Sequence, residues 1–164
     1  MKKSAVILAL AVIFILAANL VYAHCQVPCG IYNDQMRIDM MREHITTIEK
    51  SMNEINELSK NPAANINQLV RWVDNKDTHA DEFSEIVTYY FLAQRVKIAD
   101  PGNKTAFADY QRKLTLLHQM MVYAMKSKQT TDLENVKQLT RLLDQFKEIY
   151  FTADEKKHMQ MHKN

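Results

Sequence analysis

Only two glycines and three prolines interrupt the 164 residues of this chain. These residues most readily end a helix, glycine through its freedom and proline through its missing donor. A chain so short of them is committed to long helices. The apolar residues agree. Ile38, Met41, Ile45, Ile48, Met52 and Ile55 step by three and four. So do Phe107, Tyr110, Leu114, Leu117, Met121 and Ala124, and again Leu133, Val136, Leu139 or Thr140, Leu143, Phe146 and Tyr150. Each series puts one apolar seam on one helix.

A further helical region, about 65–98, is less regular. Its seam reads Ile66, Leu69, Val73, then Ala80, Phe83, Val87 and Tyr90, and the polar run DNKDTHADE at 74–82 cuts it. That run is either a solvated overhang or a polar patch facing a site. Asn61-Pro62, the loop Asp100-Pro101-Gly102-Asn103, and Ser127–Thr130 ahead of a capping box Thr131-x-x-Glu134 separate the helices. Asn33 or Asp34 can cap the first. The expectation is all-α: one antiparallel four-helix bundle over 33–152, with neither repeats nor a second domain. Methionines and aromatics on the seams read as core. His44, His79 and His118 read as lone surface or satisfied histidines.

Ahead of the bundle lies a different kind of segment. Met1-Lys2-Lys3 precedes an apolar run from about Ala5 to Val21 that closes on Val21-Tyr22-Ala23. A basic start, an apolar centre and small residues before a cut mark a secretory signal peptide, expected over 1–23. The alternative is an uncleaved anchor, since the run almost suffices to span a bilayer. Cleavage leaves 141 residues with 19 basic against 19 acidic side chains, so the whole-chain excess of +2 belongs to the leader. No basic stripe with interleaved aromatics is present, which argues against nucleic acid. The mature protein would be exported, to the periplasm or the medium, with no stable membrane anchor.

Both cysteines stand directly behind this cut, in His24-Cys25-Gln26-Val27-Pro28-Cys29-Gly30-Ile31-Tyr32. In an oxidising compartment two cysteines usually mean a disulfide, but here it would close a tiny loop of little stabilising value. A metal is better served. A chain beginning at His24 offers a free α-amine, an imidazole and two thiolates. The amine, the Cys25 amide nitrogen and the Cys25 sulfur can close two fused five-membered chelate rings, and Cys29 can fill the fourth corner. Square-planar nitrogen and sulfur donation suits Ni(II) or Cu(II) rather than tetrahedral zinc. Thiolates tend to reduce Cu(II), which favours nickel. The imidazole of His24 could then bind axially.

The stretch HCQVPCGIY closely resembles the amino-terminal hook of the nickel-containing superoxide dismutases, whose pattern is His-Cys-x-x-Pro-Cys-Gly-x-Tyr. All six fixed positions are present: His24, Cys25, Pro28, Cys29, Gly30 and Tyr32. The resemblance implies an enzyme that disproportionates superoxide to dioxygen and hydrogen peroxide, with a nickel ion cycling between Ni(II) and Ni(III). It implies His24, Cys25 and Cys29 as ligands and Tyr32 beside the open face, orienting small oxygen species. It also implies a helical-bundle subunit in a homo-oligomer, a homohexamer. The two protons per peroxide arrive through bound water and Tyr32 or through protonated ligands. The family orients the hook imidazole with a Glu in an Arg-Ile-Glu context; here Arg37-Ile38-Asp39 stands in that place, one methylene shorter. It also uses a basic residue of the second helix, for which Lys76 is the candidate.

Two rival readings use the same residues. A nickel carrier would bind the ion without turnover, and a plain bundle would merely oxidise its cysteines. Retention of Gly30 and Tyr32 beyond the bare ligands favours the enzyme. The tail, 153–164, clusters His158, Met159, Met161 and His162. It is either a frayed basic end or a weak copper or nickel site.

Overall fold

The structure, a computed structural model, describes residues 32–153. The leader 1–23, the hook residues His24, Cys25, Cys29 and Gly30, and the tail histidines His158 and His162 lie outside the described residues. Among the described residues every regular element is helical. Helix α1 spans Asp34–Leu58, α2 Pro62–Glu85, α3 Lys104–Gln129 and α4 Glu134–Tyr150. Helix α2 runs on without a break into a π-helical segment, Ile86–Arg95. None of these helices is long and apolar enough to cross a membrane.

Cross-chain contacts fix the directions. Asp34 of α1 meets Tyr150 of α4, Arg42 meets Asp144, and Asn56 meets Thr131. As the numbers rise along α1 they fall along α4, so the two are antiparallel. Helix α2 answers α1 the same way, with Ser51 on Asn75 and Asp34 on Tyr90. The helices close a ring of neighbours, α1–α2–α3–α4–α1. This is the expected four-helix bundle.

All six α1 seam residues are buried. The helix is started by Asn33, whose side chain accepts from the Met36 N–H at 3.0 Å; Asp34 is left for another task. Three residues then turn the chain. Pro62 opens α2, where a missing N–H costs nothing. Asn65 Nδ2 reaches back to the carbonyls of Leu58 and Asn61. At the 100–103 loop the Asp100 carboxylate accepts from the Gly102 N–H, and Asn103 caps α3.

Three expectations are corrected. In α2 the inward face runs Asn65, Leu69, Trp72, Lys76, Ala80 and Phe83, whereas Ile66 and Val73 are 67% and 42% exposed. The expected seam holds at Leu69, Ala80, Phe83, Val87 and Tyr90 and fails at Ile66 and Val73, because the inward positions there include an asparagine and a lysine that find partners. In α3 the buried side is Leu116, Leu117, Met120, Ala124 and Ser127. Met121, Leu114, Tyr110 and Phe107 are only half-buried at its edge. The capping box at Thr131 does not form. Asp132 instead accepts from the Glu134 N–H at 2.9 Å, a local aspartate turn that takes the donor first. In α4 the core residue is Leu139, not Thr140.

The core is continuous and apolar, with Phe83, Phe91 and Phe146 as its largest wholly buried members. Phe91 meets Phe146 and Tyr150 edge-on, with centroids 5.1 and 5.3 Å apart. This aromatic group fills the end of the bundle where α1 begins.

Candidate functional site

Helix α1 starts two residues after Tyr32, the last position of the hook motif, so its first turn determines where that motif is attached. Asp34 dominates this turn. Its carboxylate accepts from the Tyr90 hydroxyl and from Arg95 Nε on one oxygen, the latter at 2.9 Å. The other oxygen accepts from Arg95 Nη2 at 2.6 Å and from the Tyr150 hydroxyl at 2.7 Å. One carboxylate therefore ties the start of α1 to the end of the second helical region and the end of α4.

The π-helical turn makes this possible. Tyr90 and Arg95 are five residues apart. On an α-helix, positions five apart point about 140° away from each other. An i→i+5 turn lines them up on one side, and both reach Asp34. Nothing in a hydropathy pattern announces that widened turn.

Electrostatics follows from the contacts. Burial pushes the Asp34 carboxyl up, but hydrogen bonds from Arg95, Tyr90 and Tyr150 and the Arg95 charge outweigh it, leaving the group below its ordinary value. The phenols move the opposite way. Burial and the bond to Asp34 push Tyr90 up to about 12, and Tyr150 is raised by the same causes. Hydrogen bonding to Asp34 raises Arg95 further, against its burial.

Around this clamp lie groups with capacity to spare. Gln35 Oε1 and Arg37 Nε are buried with no hydrogen-bond partner among the described residues. The Arg37 guanidinium lies over the Tyr90 ring, 5.1 Å from its centroid. A cleft of about 320 Å³ opens beside Arg95 and Tyr150, and Lys97, Lys113 and Asp109 also line it. With Arg95 matched by Asp34, Lys97 and Lys113 against Asp109 leave the cleft mildly cationic, which favours a small anion.

The residues singled out from sequence are spread more widely. Tyr32 is 41% exposed. Asp39 is exposed on α1 and accepts from Gln35 Nε2 at 2.7 Å. Lys76 is elsewhere. Its ammonium donates to the carbonyls of Ser127 and Lys128, both at 2.6 Å, and to the Asp77 carboxylate at 2.8 Å. That uses all three of its donors and caps the carboxyl end of α3, where a cation also suits the helix dipole. Lys76 lies 14 residues from Tyr90, about 21 Å of helix. Among the described residues, it is not brought to the start of α1.

Two histidines that look solitary in the sequence meet across α1 and α2. His44 and His79 bring their Nδ1 atoms to 2.9 Å, and Glu82 joins them. The local hint is His79-x-x-Glu82, an i,i+3 pair on one helix face; the partner 35 residues away carries no sequence signal.

Compared with protein-family models, residues 19–154 match the one described as nickel-containing superoxide dismutase. Comparisons with curated proteins and with solved structures give no match.

Proposed function

The chain belongs to the nickel-containing superoxide dismutase family and is a nickel-dependent oxidoreductase that acts on superoxide, and from that premise we propose where and how it works. The reading is that the mature protein begins at His24 and holds nickel within His24–Cys29. The observation carrying it is the motif itself, all six fixed positions directly behind a leader with a cleavage signal. The donor set fits the ion. Amine and amide nitrogen with two thiolates suit nickel and not the hard oxygen-seeking cations.

His24 would contribute its free amine and imidazole, Cys25 its amide nitrogen and thiolate, and Cys29 its thiolate. Bound there, nickel would supply the Ni(II)/Ni(III) couple that disproportionation to dioxygen and hydrogen peroxide requires. The chain's own groups do the rest. The Asp39 carboxylate, already aligned by Gln35, is the candidate to accept the imidazole N–H of His24 and fix its ring. The Tyr32 hydroxyl orients the small anion and can pass a proton. The Asp34 clamp holds the chain where the motif ends. We assign Lys76 to supporting α2 against α3, because its donors are spent there. The cationic cleft beside Arg95 raises the local concentration of anions.

Export, to the periplasm or the medium, follows from the leader, which on cleavage leaves no anchor. The family resemblance supports a homohexamer, and Ile66 and Val70, 67% and 63% exposed on the outer side of α2, offer apolar area for subunit contacts.

The deciding experiment adds one alanine ahead of His24 in protein with a verified amino terminus. Every hook side chain is kept, but the α-amine of His24 becomes an amide. Nickel content and superoxide turnover should both fall nearly to zero while the helical circular dichroism is unchanged. Native turnover in that variant would refute ligation by the chain terminus.

A further inference from the structure

Three donor atoms on α1 and α2 converge apart from the Asp34 clamp. His44 Nδ1 and His79 Nδ1 are 2.9 Å apart. The same Glu82 oxygen, Oε2, lies 3.4 Å from the first and 3.2 Å from the second. These atoms form a nearly equilateral triangle. We infer that His44, His79 and Glu82 are a second metal site, for a zinc-like divalent cation, independent of the nickel hook.

The triangle has the right size. Donors about 2.0–2.1 Å from a tetrahedral zinc are about 3.3 Å from one another. The observed edges average close to that, and a circle through the three atoms has a radius of about 1.8 Å. An ion at zinc distances from all three therefore sits a little under 1 Å out of their plane, as a tetrahedral ion does above three of its ligands.

Hydrogen bonding alone serves the cluster poorly. Each Nδ1 carries either one proton or one lone pair. If both carry protons, two N–H groups face each other at 2.9 Å. If neither does, three lone pairs converge. If one does, it must choose between the other ring and Glu82, and the remaining lone pair still faces a carboxylate oxygen. A cation satisfies all three donors at once. The surroundings of His44 favour the neutral ring that ligation needs. The His44 side chain is only 12% exposed, and burial, with a smaller contribution from His79, holds it below its ordinary value against the pull of Glu82 and Glu43.

Two imidazoles and one carboxylate with no thiolate is a zinc-type donor set, chemically distinct from the hook. Glu82 is 48% exposed, so the fourth position opens to solvent and takes a water. The ion would pin α1 to α2 midway along the bundle. The ligands use the polar run 74–82 as a site-facing patch, one of the two roles open to it on sequence.

The test titrates Zn2+ into the nickel-loaded mature protein and measures metal per chain after gel filtration. One zinc per chain is expected in addition to nickel, with a raised melting temperature. Co2+ in its place should give the intense visible absorption of a tetrahedral site. His44→Ala, His79→Ala and the exposed Glu82→Gln should each weaken zinc binding, the histidine changes by more than about 100-fold. Glu82→Gln does not threaten folding, so it keeps the test valid if a histidine variant misfolds. The double variant Cys25→Ser/Cys29→Ser should lose nickel and keep this zinc, which separates the inference from the hook reading. No bound zinc at micromolar concentration, or zinc lost on His158→Ala/His162→Ala but kept in the three site variants, would overturn it.

Discussion

Replacing Asp34 with asparagine tests whether one carboxylate holds three chain segments together. The change keeps size and removes charge. Neither amide orientation rescues it. One carboxylate oxygen faces Arg95 Nε and the other faces Arg95 Nη2, so either flip points an amide N–H at a guanidinium N–H. The variant loses at least one charge-assisted hydrogen bond, worth about 1.5–3 kcal/mol. It also removes the Asp34 charge that faces Arg95. Breaking a fully buried pair costs about 3–5 kcal/mol, but the Arg95 side chain is 27% exposed and water recovers part of that. The expected loss is about 2–4 kcal/mol, or roughly 8–16 °C in melting temperature for a domain of this size.

The effect has a pH signature. Asp34 titrates lower in the folded protein than its reference value of 3.8. Its stabilising contribution is therefore present above that reference value and is lost as pH falls through the folded value. The gap between wild type and Asp34→Asn should be full at neutral pH and close in strong acid. Urea unfolding followed by helical circular dichroism reads both. Asp144→Asn is the control, because its partner Arg42 and Asp144 itself are 42% and 57% exposed, and such pairs contribute about 0–1 kcal/mol. Equal midpoints for Asp34→Asn and Asp144→Asn, or a gap that does not change with pH, would refute the clamp.

Lys76→Met keeps the bulk and strands the Ser127 and Lys128 carbonyls, so urea unfolding should show a loss of about 1–3 kcal/mol; an unchanged midpoint would show that the cap is idle. Cys25→Ser and Cys29→Ser should each abolish superoxide turnover with the helical spectrum intact. His24→Ala should retain nickel by metal analysis but lose most turnover, and Tyr32→Phe should be milder; the reverse order would mean that the two roles are wrongly assigned. In an alkaline titration followed by phenolate absorbance, Tyr90→Phe and Tyr150→Phe should each remove a component that ionises above pH 10. The folded values of the two phenols are raised, so their contribution is complete below pH 10 and is lost as pH rises towards about 12 for Tyr90.

The apolar seam of the first helix was legible, because every position that hydrophobic spacing marks out from Ile38 to Ile55 is buried; only Ser51, a polar residue bonded to Asn75, joins them unannounced. That of the second was legible only in part. Its inward face carries Asn65 and Lys76, and a lysine on a buried stripe reads as solvent until the carbonyls that receive it are known. The clamp was hidden for a different reason. Asp34 reads as a possible cap, while Tyr90 and Arg95 share a side only through a widened turn that leaves no periodic trace. The His44–His79 meeting depends on helix register across an interface, which a single sequence does not encode locally. The nickel motif is the opposite case. Its six fixed positions lie within nine consecutive residues, so finding the motif requires no fold.

The bond between Asp34 and Tyr150 joins residues 116 apart, and that span sets an order of events. A chain leaving the ribosome or crossing a membrane amino end first exposes the hook motif long before α4 exists. Tyr90 and Arg95 can hold the first turn of α1 earlier, but its set of partners is complete only when the last helix has docked. Early in synthesis Asp34 therefore has at most the partners of the second helical region, and late it has all three. The length of that contact makes the carboxyl end the last to fasten the first turn of α1.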